Sequence, residues 1–286
     1  MIIVTGASGQ LGRAVVERLL ERVPAAGIGV SVRDPGKSSD LAERGVRVRQ
    51  GDFGDAASLR HAFEGAAQVL IVSSNSAGDG AVRQHQTAVE AARDAGARRI
   101  LYTSHTGAGA TSAFAPMRDH AATEALLAAS GVAFTSLRNG FYAASGLGLM
   151  GRAHETGELA APADGPVSWT AHADLAEATA LILADEGRFD GITPALTASE
   201  ALDLADLAAL AAQLSGRSIE RVILTDDEYR TRMAARGTPA AQVELFLGLF
   251  AASRQRDFAA IDGALASLLG RPPVTMREVL ASRAVK

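Results

Sequence analysis

Thr5-Gly6-Ala7-Ser8-Gly9-Gln10-Leu11-Gly12 decides the fold. It sets Gly-x-x-Gly-x-x-Gly between an apolar run, Met1–Thr5, and an amphipathic one, Gly9–Arg22, whose Leu11, Val15, Leu19 and Leu20 share one side. Between a strand and a helix such a loop has a physical use. Gly6 permits the tight turn, Gly9 lets backbone approach a pyrophosphate, and Gly12 lets the helix pack closely on the sheet. The helix start, carrying Ser8, Gln10 and Leu11 beside the glycines, offers free N–H groups and the positive end of the helix dipole. A glycine pattern alone is a weak signal; its place in the first strand-to-helix unit of a series gives it weight.

That series follows. Strands are expected over Gly27–Val32, Val46–Arg49, Gln68–Val72, Arg99–Tyr102 and Val132–Leu137. Helices are expected over Lys37–Arg44, Asp55–Phe63 with Asp55 as N-cap, Ala81–Ala95 and Arg118–Ala129. Short, apolar, β-branched strands suit a parallel sheet covered on both faces. The reading is α/β: a doubly wound parallel Rossmann sheet with a smaller, mainly helical C-terminal lobe. Residues 1–140 form the nucleotide-binding domain, with segments around 166–196 returning to it through a helix at Asp174–Asp185 and a strand at Ile192–Leu196. The rest of 141–286 forms a discontinuous substrate lobe. There Phe141–Gly165 reads as a loop with one short helix, followed later by helices at Asp203–Ser215, Asp226–Ala235, Pro239–Ser253 and Met276–Arg283. Thr275 and Glu278 make a capping-box pattern at the last of these.

Composition narrows the function. At 286 residues and 48% hydrophobic, the chain can bury a large core. A net charge of −4 without a basic block argues against nucleic acid. With no cysteine, thiol nucleophiles and thiolate metal sites are excluded. No carboxylate or histidine cluster has metal-ligand spacing, and no apolar run suggests a membrane span. A strand beginning at Ile2 leaves no room for a signal peptide, so a cytoplasmic location is expected.

The second strand ends in Val32-Arg33-Asp34-Pro35-Gly36-Lys37. At this tip an Arg accommodates a 2′-phosphate, whereas an acidic residue bonds a 2′-hydroxyl. Arg33 and Lys37 favour NADP(H). Asp34 could serve NAD instead or simply pair with its cationic neighbours, and the two cations could be a solvated surface pair. Asp52 and Phe53, after the third strand, stand where an adenine ring would lie; a turn Asp and a core Phe are an equal alternative. Ser73 and Ser74, after the fourth, could line the sugar–phosphate path.

The usual Ser with Tyr-x-x-x-Lys is missing. Four residues beyond Tyr102, Tyr142 and Tyr229 stand Thr106, Gly146 and Met233, and the only lysines are Lys37 and Lys286. Where the pair should lie stands His120-Ala121-Ala122-Thr123-Glu124, with Ser104 before it. His120 is a candidate general acid, with a structural histidine as the alternative; Glu124 reads as solvated. His172 and Asp174 read as helix caps and Trp169 as packing near the pocket.

These stretches, together with Gln50-Gly51-Asp52-Phe53-Gly54-Asp55, Tyr102-Thr103-Ser104 and Leu137-Arg138-Asn139-Gly140-Phe141-Tyr142, resemble the NmrA-like atypical short-chain dehydrogenases. Within them the chain is most similar to the group of NADPH:quinone oxidoreductase 2 and triphenylmethane dye reductase. The resemblance runs nearly the whole length and is weakest after about Ser215. It implies an NADP(H) site at Gly6–Gly12, Arg33, Lys37, Asp52, Phe53, Ser73, Ser74 and Ser104, with Asn139, Gly140 and Phe141 bordering the nicotinamide. Phe141, Tyr142 and Trp169 are expected against the substrate, and Asn139 and His120 nearest the chemistry. The expected function is an NADPH-dependent oxidoreductase passing a hydride to a quinone or similar flat acceptor. The alternative is a non-catalytic NADP(H) sensor, since members of the family that only bind the nucleotide also lack the Tyr/Lys pair. A small-molecule acceptor is the expected partner, and a homodimer is left open.

Overall fold

A computed structural model describes residues 1–284. In chain order the first half runs β1 (Ile2–Thr5), α1 (Gln10–Leu20), β2 (Ile28–Val32), α2 (Ser39–Glu43), β3 (Arg47–Gln50), α3 (Ala56–Phe63), β4 (Gln68–Ile71), α4 (Asp79–Asp94), β5 (Arg99–His105), α5 (Ala115–Ala129) and β6 (Ala133–Asn139). The second half runs α6 (Ala143–Met150), α7 (Ala153–Thr156), β7 (Glu158–Pro162), α8 (His172–Ala184), β8 (Gly191–Ile192), α9 (Leu204–Ser215), β9 (Glu220–Leu224), α10 (Asp226–Ala235), α11 (Ala240–Arg254), α12 (Ala264–Leu269) and α13 (Met276–Ala284).

Seven strands form one parallel sheet in the order β3-β2-β1-β4-β5-β6-β8. Every residue of β1, β2, β4 and β5 is buried, because helices cover both faces. Leu11, Val15 and Leu19 of α1 share one core with Leu175, Ile182 and Leu183 of α8. Leu59, Phe63, Val89, Ala92 and Leu127, from α3, α4 and α5, fill the other face. The strand order reverses between β1 and β4, and in such sheets ligands bind in the crevice beyond the strand ends at that point. The expected N-cap holds: the Asp55 carboxylate accepts from Ala57 N at 2.9 Å and Ser58 N at 3.3 Å. So does the capping box, with Glu278 accepting from Thr275 N and Thr275 Oγ accepting from Glu278 N.

Several expectations need correction. The helix expected from Lys37 opens with a 3₁₀ turn at Pro35–Ser38, and α2 starts only at Ser39. Phe141–Gly165 is not a loop with one helix: it holds α6, α7 and β7. β7 pairs in parallel with β9, a strand the sequence reading lacked. The returning strand is shorter than expected, with β8 confined to Gly191–Ile192 and Leu196 bridging Asn139 separately. A third core, built on Phe114, Phe141, Trp169, Leu207, Leu247, Phe250 and Phe258, joins the helices after residue 200 to the ends of β5 and β6.

Candidate cofactor cleft and acceptor side

At the switch point lies a cleft of about 510 Å³, lined by Gly6, Ser8, Gly9, Gln10, Leu11, Gly12, Arg33, Asp52, Phe53, Ser73 and Ser74. Its volume falls within the usual range for small-molecule sites. Two glycines make its floor. Gly6 has φ of +63°, open to glycine and strained for other residues. A Cβ on Gly12 would stand 2.5 Å from Gly6 O, so α1 can begin this close to the turn only with glycine there. Gly9, the N-cap of α1, brings no side-chain acceptor to the helix's free N–H groups.

Arg33 stands exposed at the β2 edge of the cleft, with no hydrogen-bond or ion-pair partner among the described residues. Asp34, its rival in the sequence, is occupied elsewhere: its carboxylate accepts from Gly36 N at 3.1 Å and caps the 3₁₀ turn. Lys37 is exposed on that turn and does not line the cleft. Asp52 accepts from Gly54 N at 2.8 Å, and Phe53 turns edge-on to His85 at 6.4 Å. Ser73 N donates to Thr103 Oγ at 2.8 Å. Ser74 N donates to His85 Nε2 at 2.9 Å, while Ser74 Oγ donates to Gln84. His85 is thereby a hidden support of the cleft wall. Burial, and secondarily His120, holds its pKa at about 4, so it is neutral and donates through Nδ1 to Thr123 Oγ at 2.9 Å.

The remaining expected residues, Tyr142 apart, lie off the lining. Ser104 is buried and donates to Glu124 at 2.8 Å. Glu124, expected in solvent, is only 6% exposed. It also accepts from Ser136 and holds the Arg138 guanidinium at 2.7 Å. Burial opposes its ionisation, yet the bonds from Arg138 and Ser104 outweigh that and lower its pKa. His120, one turn earlier on α5, shares a hydrogen bond of 2.7 Å between its Nδ1 and Tyr102 Oη. Burial lowers its pKa to about 4, so it is neutral.

Asn139 closes β6 at 1% exposure, and neither of its amide atoms has a partner. Gly140 packs so closely on Thr170 that a Cβ would stand 2.2 Å from its hydroxyl. Phe141 meets Trp169 edge-on at 5.5 Å, and Trp169 is held by a bond from its indole N–H to Leu202 O. Tyr142 reaches the cleft, where its ring lies 4.2 Å from that of His172. Burial raises its phenol to about 12; the nearby Asn139 amide opposes the rise without a hydrogen bond of ordinary geometry. His172 does open α8, but its N-cap is Ala171, so His172 is a cleft residue that the sequence reading took for a cap. Asp174 is fully buried and accepts from Val274 N, with Arg271 alongside at 2.8 Å.

The glycine floor at the start of α1, the free Arg33 and the unpartnered Asn139 amide together fit an extended anionic cofactor with a carboxamide head. The family model described as NAD(P)H-binding matches residues 6–186, and quinone oxidoreductase 2 of Escherichia coli (strain K12) is 34% identical over 97% of this chain and 96% of its own. The chain belongs to the NAD(P)H-binding, NmrA-like family. Among solved structures of this NAD(P)H-binding fold, it is similar to the NADPH-dependent quinone oxidoreductase of Escherichia coli complexed with NADPH. That match has TM-score 0.93 and 32% identity, and covers 100% of both chains. It is also similar to the triphenylmethane reductase of a Citrobacter species complexed with NADP(H), with TM-score 0.90 and 30% identity over 99% of this chain and 100% of that one. Among the described residues, no helix of this family member is long and apolar enough to cross a membrane.

Proposed function

We propose that the chain is an NADPH-dependent reductase that passes a hydride to a quinone or similar flat electrophile, without Tyr-x-x-x-Lys chemistry. The observation that carries this reading is the pairing of a dinucleotide cleft with an aromatic cluster beside Asn139 where His120, the candidate acid, is held neutral. NADPH supplies the hydride when bound. Gly6–Gly12 hold its phosphates, Arg33 its 2′-phosphate, and Asn139 its carboxamide. Residues 1–140 with 166–196 form the binding domain, and the remaining segments the acceptor side. A cytoplasmic location belongs to the same proposal.

The protonation states support a quinone over a ketone. Reduction adds a hydride and a proton to the acceptor, giving a hydroquinone from a quinone. A ketone would gain a strongly basic alkoxide, and His120, neutral at pH 7, is a poor acid for it. A quinone gains a phenolate-like anion, whose conjugate acid has a pKa of about 10, as for tyrosine, and water can protonate it. The work left to the protein is to hold the reactants in contact. The names of the quinone and triphenylmethane reductase relatives favour the same class.

The test mixes purified protein with NADPH and a panel of quinones and cationic dyes and follows absorbance. Acceptor-dependent loss of NADPH is expected. Tight NADPH binding without any such loss would replace the reductase with a nucleotide sensor.

A further inference from the structure

His105 ends β5 directly opposite Asn139 in the β5–β6 register. Its Nδ1 accepts from Gly107 N at 3.0 Å, so the ring proton sits on Nε2. Burial drives its pKa well below the ordinary value, leaving a neutral donor. That Nε2–H is sequestered and has no partner. Among the described residues eight buried side-chain polar atoms lack a partner, and three of them meet here, two on Asn139 and one on His105. Such groups normally carry a cost unless something absent satisfies them.

The walls say what that is. His105 is met edge-on by Phe141 at 5.0 Å and Phe258 at 5.5 Å, and His120 lies 6.2 Å away. Phe114 stacks on Phe141 at 6.0 Å. Flat aromatic walls around one N–H donor suit a planar ring bearing an oxygen. We infer that His105 is an acceptor-binding residue, its Nε2–H donating to the carbonyl oxygen of a quinone that reaches it against Phe141 when the Phe258 ring, in edge contact with Phe141 at 5.1 Å, turns aside. The inference rests on the reductase reading and adds to it the group that recognises the oxygen. As hydride reaches the ring, that oxygen gains charge, and the bond strengthens. That turn requires only the Phe258 side chain to move, the backbone staying anchored where the Phe258 carbonyl accepts from Ser168 N at 2.9 Å and Ser168 Oγ at 3.1 Å.

The test compares 1,4-naphthoquinone with crystal violet, a cationic dye that has no oxygen. His105→Phe keeps a ring and removes the donor, so the ratio of quinone to dye kcat/KM is expected to fall about tenfold, while NADPH affinity changes by less than about threefold. A second readout uses wild-type protein labelled with ¹⁵N-histidine and loaded with NADP⁺, which cannot reduce the quinone. Adding 1,4-naphthoquinone is expected to move the His105 Nε2–H resonance downfield; the chain has no cysteine for the quinone to alkylate. This readout decides even if His105→Phe fails to fold. An unmoved resonance, or an unchanged ratio, overturns the role of His105 and points to an N–H held only by aromatic faces. If wild-type protein oxidises NADPH with neither acceptor, the reductase reading falls and this inference with it; quinone reduction without the His105 effects removes this inference alone.

Discussion

In the proposed function Arg33 is the charge that selects between the two nicotinamide cofactors. It stands at the strand end with no partner among the described residues, while the competing Asp34 is spent on Gly36 N. Losing a charge-assisted hydrogen bond costs about 1.5–3 kcal/mol, so Arg33→Ala is expected to weaken NADPH binding roughly tenfold or more. NADH, lacking the 2′-phosphate, is expected to change little; calorimetry of both cofactors checks this, and equal weakening would remove Arg33 from the phosphate. His120 and Asn139 divide in the opposite sense from a conventional acid site. A positioned general acid is worth about 10²–10⁴-fold, but a neutral His120 offers only a hydrogen bond, so His120→Ala is expected to lose less than about tenfold in kcat. Asn139→Ala, which removes the proposed carboxamide contact, is expected to lose more, again by roughly tenfold or above. Stopped-flow single turnovers compare them, and a hundredfold loss at His120 with none at Asn139 would make His120 the acid. The residues legible in the sequence were those whose role is local: the glycines and Arg33 sit within one loop or strand end. Asn139 became suspect only through a resemblance, and its missing partners are visible only in three dimensions.

At the scale of elements, Glu124 ties three of them together. From α5 it holds Ser104 of β5 and both Ser136 and Arg138 of β6. These strands end in His105 and Asn139, so the ion pair fixes the acceptor side from behind. Glu124→Gln leaves Arg138 without its counter-charge in a half-buried place. A loss of about 1–3 kcal/mol in urea unfolding is expected, with cofactor affinity little changed because the cluster is off the cleft lining. Unchanged stability would show that the pair merely breaks even against its desolvation. The sequence held the clue: Ser136 and Arg138 alternate along a strand that should be apolar, and Glu124 shares a helix face with His120. A lone helix carboxylate is usually solvated, and that prior hides the role of Glu124 in the sequence. The β7–β9 pair was illegible for another reason. Its strands lie far apart in sequence, no turn joins them, and Arg221 completes the pairing by donating to Ala161 O at 2.8 Å and to Pro162 O at 2.6 Å. Local pattern carries the alternating sheet, whereas a parallel pair closed over a long crossover depends on tertiary packing.

For the whole molecule, the buried neutral histidines tie stability to acidity. His85 joins the cofactor wall at Ser74 to α5 at Thr123, and it is 2% exposed. Its folded pKa of about 4 lies below the value of about 6.5 that an unfolded chain would show. Between those values the unfolded state binds the extra proton, so stability falls as pH drops through that window and is level, as far as this residue goes, above and below it. His105, pushed in the same direction by burial, adds to the loss. His85→Gln offers a test without breaking the join: the amide oxygen can accept from Ser74 N and the amide nitrogen can donate to Thr123, but neither titrates. The variant is expected to lose less thermal stability than wild type between pH 6.5 and 4, at nearly equal Tm near neutrality. Parallel Tm curves across that window would mean that His85 takes up no proton on unfolding and that the acid sensitivity arises elsewhere. A protein whose nucleotide wall hangs on that imidazole should also release NADPH as His85 is protonated, so cofactor affinity and Tm should decline together in wild type and separate from the wild-type curve together in His85→Gln.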